Sequence, residues 1–241
     1  MSPSCACASP ELAGNLRGVR QRIAAACQRA GRAPDDVRLV AVTKSVGADA
    51  IRALHTLGAT DVGENRVQDA LGKQDALGGK LGLRWHMIGH LQTNKVRHAL
   101  GLFDAVDSVD SLRLAQEVER RAAVEGLCVP VLVECNVSGE DTKFGVRPAE
   151  LVLLLDAIRP FAHVRVEGLM TMAPFVADAE AARPVFAALR ELAAQAREQT
   201  GLALPHLSMG MTQDFEVAIE EGATMVRIGT ALFTPSPALL I

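Results

Sequence analysis

The chain has 241 residues, 49% hydrophobic and 22% charged, with a formal net charge of −3. That length suits one α/β barrel or two smaller domains, while the slight acidity argues against a nucleic-acid footprint and no apolar run reaches membrane-span length. The N-terminus, MSPSCACASP, has neither a basic region nor an apolar core, so no secretion signal is read and a cytoplasmic location is expected.

Residues 1–8 read as a flexible tail, and Cys5 and Cys7 within it lack the pairing of a metal site. Ser9-Pro10 predicts a helix start, cap then proline. Leu12, Leu16, Val19, Ile23, Ala26 and Ala30 follow helical spacing, and Gly31 ends the run. Arg17, Arg20, Arg22 and Arg29 between them read as a solvated face. Strand-like runs follow at Leu39–Thr43, Asp61–Glu64, Trp85–Ile88, Ala105–Val109, Pro130–Val137, Val164–Met172, His206–Met209 and Met225–Ile228. Helical stretches separate them, one near Asp49–Leu57, one along Leu112, Ala115, Val118 and Ala122, and one between Pro184 and Gly201. Thr212 is the expected cap of a further helix stopped by Gly222. Cys128 and Cys135 bracket an apolar strand and are expected to be buried thiols. Eight strands alternating with helices predict a (β/α)8 barrel, here with an extra N-terminal helix and one domain over residues 9–241. A doubly wound sheet is the alternative that periodicity leaves open.

Polar residues gather at or just past the strand ends: Lys44, Glu64-Asn65, His86 with His90, Ser108, Asn136, Thr171, Ser208 and Arg227-Gly229-Thr230. That is the face on which barrel sites are built. On a strand of period two, Met225, Arg227 and Gly229 share one face, and a guanidinium there must find a partner. A structural ion pair would serve, and so would a ligand. Small residues at the last two strand ends leave backbone N–H groups open to an anion. Lys44 ends its strand on the face of Val40 and Val42. A lysine desolvated there exposes an amine lone pair, the requirement for a Schiff-base nucleophile; a lysine that snorkels to solvent is the plain reading. Taken together, amine, arginine and anion site suit an aldehyde that also carries phosphate, and pyridoxal 5′-phosphate (PLP) has all three elements.

Nearly the whole chain resembles the pyridoxal phosphate homeostasis proteins, single-domain relatives of the alanine racemase barrel. The resemblance is carried by LVAVTK (Leu39–Lys44), VGENRVQDA (Val62–Ala70), WHMIGHLQTNK (Trp85–Lys95), NVSGEDTKFG (Asn136–Gly145), GLMTMAP (Gly168–Pro174), LSMGMT (Leu207–Thr212) and MVRIGT (Met225–Thr230). It implies that Lys44 forms the Schiff base and Arg227 faces the pyridine nitrogen. By the same resemblance Ser208, Gly229 and Thr230 hold the phosphate, while Asn65, His86 and Met209 line the ring. The chain departs from the family pattern at Ser45-Val46-Gly47, Arg66, Thr212 and the terminal FTPSPALLI.

These readings lead to a protein that holds, buffers and delivers PLP, with PLP and PLP-dependent apoenzymes as partners, no metal, no nucleic acid and no membrane, and a monomer expected. A PLP-dependent racemase or decarboxylase is the first alternative. The chain has no tyrosine and ends after the barrel, so a two-base racemase would lack its second base. A Schiff-base aldolase is the second; it needs an acid–base pair near the lysine. Lys143, in the loop after the fifth strand, is a candidate second amine for release by imine exchange, with phosphate or solvent contact as the simpler reading.

Overall fold

The computed structural model describes residues 9–140 and 144–234. Cys5, Cys7, Lys143 and the end of the FTPSPALLI segment therefore lie outside the described residues. The strands are β1 (Arg38–Val42), β2 (Asp61–Glu64), β3 (Arg84–Met87), β4 (Ala105–Val109), β5 (Val129–Glu134), β6 (Val164–Met170), β7 (His206–Ser208) and β8 (Met225–Ile228). They pair in parallel, in chain order, and close into a barrel. Closure is the pairing of β1 with β8, Val40 opposite Arg227, which excludes the doubly wound alternative.

Around the barrel run α1 (Pro10–Arg29), α2 (Ala48–Thr56), α3 (Val67–Leu77), α4 (Val96–Leu102), α5 (Leu112–Glu125), α6 (Leu151–Ile158), α7 (Arg183–Thr200), α8 (Phe215–Glu220) and α9 (Thr230–Phe233). Their apolar stripes meet the outward strand residues in a layer that includes Ile51, Leu54, Trp85, Phe186 and Phe215. Fully buried Trp85 also donates its indole N–H to the Lys80 carbonyl at 3.3 Å, so its polar atom is satisfied inside the packing. Among the described residues, no helix is long and apolar enough to cross a membrane.

The extra helix begins as expected, with the Ser9 Oγ accepting from the Leu12 N–H and Pro10 in the first turn. Its arginines are not all a solvated face. Arg22 pairs with Glu216 at 3.0 Å and Arg29 with Glu220 at 2.7 Å, both on α8. Asn15 Nδ2 donates to the Leu232 carbonyl at 3.0 Å. Thus α1 clamps the two short helices that flank β8.

Three expectations need correction. Asp214, not Thr212, stands at the cap position of α8. Its Oδ1 accepts from the Met211 N–H at 2.6 Å and draws residues 211–214 into a tight turn. Cys128 is exposed whereas Cys135 is buried: Cys128 lies in the loop before β5, while Cys135 continues past its end into a bridge with Val146. Glu64 points outward from the barrel, where Thr43 Oγ1 donates to its Oε1 at 2.5 Å and Lys73 Nζ, on α3, at 2.7 Å.

The barrel interior is filled by two kinds of side chain. Leu132, Met170 and Met225 form a small apolar cluster. Beside it runs a column of charges: Arg84 with Glu167 at 3.5 Å, Arg38 with Asp61 at 3.7 Å, and His86 between Asp61 and Asp107.

Candidate functional site

Above this filling, at the C-terminal end of the strands, lies a cavity of about 490 Å³, within the ordinary range for small-molecule sites. Val42, Ile88, Glu134 and Arg227 come from the barrel interior, and Lys44, Asn65, Gly229 and Thr230 stand at the strand ends. Met172, Pro174, Phe175 and Val176 give it one apolar wall, and His90, stacked on Phe144 with ring centroids 4.0 Å apart, adds to the rim.

Each polar group reaches the cavity through local structure. Lys44 follows β1 in a turn anchored from behind, where Lys73 Nζ donates both to the Thr43 carbonyl at 2.8 Å and to Glu64. Its side chain is exposed, so the desolvation expected from sequence is not supplied by protein atoms. Asn65 is held by close backbone approach. A Cβ on Gly89 would lie 2.5 Å from the Asn65 carbonyl oxygen, so position 89 tolerates only glycine.

Arg227 is 4% exposed. Its Nη1 donates to Ser208 Oγ at 2.7 Å and its Nη2 to the Thr171 carbonyl at 2.9 Å. A guanidinium has five N–H donors, which leaves others for the cavity. Burial lowers its pKa while the Asp107, Glu134 and Asp214 carboxylates oppose that. Beside β1, at the end of its partner β8, the 211–214 turn meets the start of α9. Thr212 Oγ1 accepts from the Ala231 N–H at 3.3 Å, and the Thr230 N–H, at the first position of α9, has no intrahelical acceptor. Thr212, Gln213, Gly229 and Thr230 line this corner together.

Of the expected site residues, Lys44, Asn65, Arg227, Gly229 and Thr230 meet at the cavity and three do not. His86 is fully buried below it: Ile88, two residues further on the same face of the chain, occupies the cavity layer instead. Its Nδ1 lies 2.9 Å from Asp107 and its Nε2 3.0 Å from Asp61. Burial alone would lower its pKa; Asp107 and Asp61 override that and raise it to about 9. Met209 alternates with inward-facing Ser208 and therefore packs in the outer apolar layer. Ser208 itself holds Arg227 and does not line the cavity. Sequence reasoning passed over Glu134, Met172, Phe175, Gln213 and Asp214. The alternation of Leu132 and Glu134 along β5 was the signal for the first. Alternation with Met170 was the signal for Met172, whereas Phe175, Gln213 and Asp214 lie outside the strands and carried none.

The alanine racemase N-terminal domain model matches residues 15–237. The pyridoxal phosphate homeostasis protein of Aquifex aeolicus is 47% identical over 90% of this chain and 95% of its own length. The chain belongs to the pyridoxal phosphate homeostasis protein family. The family member of Pseudomonas aeruginosa is 44% identical over 92% of this chain and 94% of its own. Among solved structures, PipY of Synechococcus elongatus with PLP bound superposes with a TM-score of 0.81 at 36% identity, covering 92% of this chain and 99% of that one. An alanine racemase of Clostridium difficile shares the fold, with a TM-score of 0.75 at 15% identity over 95% of this chain and 58% of that one.

Proposed function

We propose that this chain binds pyridoxal 5′-phosphate in the cavity and serves its storage and delivery, with little or no turnover of its own. The observation that carries the reading is the meeting of Lys44, Arg227, Gly229 and Thr230 around one cavity with an apolar wall. The residues fit the cofactor: an amine for its aldehyde, buried N–H donors for its ring, and open backbone N–H groups for its phosphate. When bound, the cofactor supplies an electrophilic aldehyde carbon that a primary amine attacks with loss of water.

Lys44 would supply that amine, and the Thr43–Glu64–Lys73 cluster behind it fixes the turn that presents it. Arg227, held by Ser208 and Thr171, would disfavour protonation of a ring nitrogen beside it and so restrain the ring as an electron sink. Asn65 would flank the ring, and Thr212, Gln213, Gly229 and Thr230 would hold the phosphate. In this reading the described residues are one domain, and the chain is a cytoplasmic monomer that exchanges cofactor with apoenzymes.

One observation favours the enzyme alternatives: Glu134, a buried acid, shares the cavity with Lys44. A single experiment tests the proposal. Protein incubated with PLP should gain a visible absorption band that borohydride removes, and digestion should place the pyridoxyl group on the Lys44 peptide. A label mainly on another lysine would sink the assignment.

A further inference from the structure

Glu134 is a buried ionisable group of the cavity to which the proposed function gives no task; the other, Asp214, is already bonded to the Met211 N–H. It ends β5 on the interior face, is 3% exposed and lines the cavity. Among the described residues no hydrogen bond reaches its carboxyl; its neighbours act on it only through burial and charge. Buried carboxyl groups are nearly always hydrogen-bonded, so one aimed unpartnered into a cavity points to what the cavity holds.

The groups around it come from several elements. Arg227 faces it from β8 and Asp110 from just past β4, and Asp107 and Asp214 crowd the same guanidinium. Lys44 and His90 lie on the cavity rim. The neighbouring β6 ends in Met170 and is followed by Thr171 and Met172, none of them charged. An anionic ligand entering this ring of carboxylates would be repelled by an ionised Glu134, whereas the neutral acid can donate its O–H.

We propose that Glu134 is a further ligand-binding residue, which donates its O–H to an acceptor atom of the bound phosphorylated pyridine, so that binding takes up a proton from solvent. The inference rests on the reading of the cavity as a PLP site. Burial pushes the carboxyl up to about 7 against the pull of Arg227, with Asp110 adding to the rise. Near neutral pH the empty cavity therefore holds both protonation states, and an anionic ligand selects one.

Calorimetric titration with 4-deoxypyridoxine 5′-phosphate tests this, because that analogue keeps ring and phosphate but has no aldehyde for Lys44. In buffers of different ionisation enthalpy near pH 7, the parent is expected to take up a fraction of a proton more than Glu134→Gln. Between about pH 6 and about pH 8.5 the parent should lose on the order of tenfold more affinity than the variant. Glu134→Asp, which keeps the acid on a shorter arm, should bind more weakly yet retain the proton uptake. Equal uptake in parent and Glu134→Gln, with parallel pH profiles, would overturn the inference while leaving the cofactor reading intact. A parent that does not bind the analogue would overturn both.

Discussion

At His86 burial and charge oppose each other, and charge wins. Burial disfavours the imidazolium, yet Asp107 and Asp61 raise the group to about 9. Against an unfolded value of about 6.5, a shift of that size is worth roughly 3 kcal/mol. The sign follows from the raised value: this stability is fully present below about pH 6.5 and is lost as pH rises through about 9. Asp61 works in the opposite window. Burial would raise it, but hydrogen bonds from His86 and Thr60 hold it below its ordinary range, so its share is lost as pH falls. Thermal unfolding of the parent from about pH 6 to about pH 10 should show the alkaline loss. His86→Gln should start less stable and lack that slope; parallel curves would remove the imidazolium from the account. A second expectation separates Ser208 from Thr230. Thr230→Val should cost about 1–3 kcal/mol of affinity for PLP and little for pyridoxal, since the proposed function places the phosphate at Thr230. Ser208→Ala frees Arg227 Nη1 instead and should weaken both ligands alike, as paired titrations would reveal.

Among the elements, β6 and β7 meet most closely at Gly168, where a Cβ would overlap the His206 carbonyl. Gly168→Ala must therefore spread these strands, and denaturant unfolding should record a loss of more than ~3 kcal/mol. A loss under ~1 kcal/mol would mean that the strands slide freely there. This contact also marks what the sequence could carry. The strands were legible because β-branched runs between turn residues have few other uses, and β2, β4 and β8 match their expected bounds. Residues such as Gly168 and Gly89 were opaque, since their need for glycine arises from distant backbone. Lys44, Arg227, Gly229 and Thr230 were legible because strand alternation and turn chemistry place them. His86 and Met209 were misplaced for one reason: a strand end was read without asking which side or depth each residue takes. Ser108, Thr171 and Asn136 looked like site residues but bond to the carbonyls of Gly89, Cys135 and Glu140. Polar atoms at a strand end can serve the backbone as readily as a ligand.

For the molecule as a whole, the open question between holder and enzyme is one of rate. Incubation with L- or D-alanine and other amino acids is expected to give no useful racemisation or decarboxylation. Turnover above roughly one per second, near ordinary enzyme values, would favour the enzyme reading, with Glu134 as its first suspect.

The filled interior has its own consequence. Because Leu132, Met170 and Met225 and the charges beside them stop the barrel below the cavity, the described residues offer no passage through it. The cavity is a cul-de-sac. Among the described residues, whatever enters at the strand ends must leave by the same face, so arrivals and departures take turns there. An acceptor that covers that face would also bar the next molecule from entering, which makes loading and hand-over alternate in time.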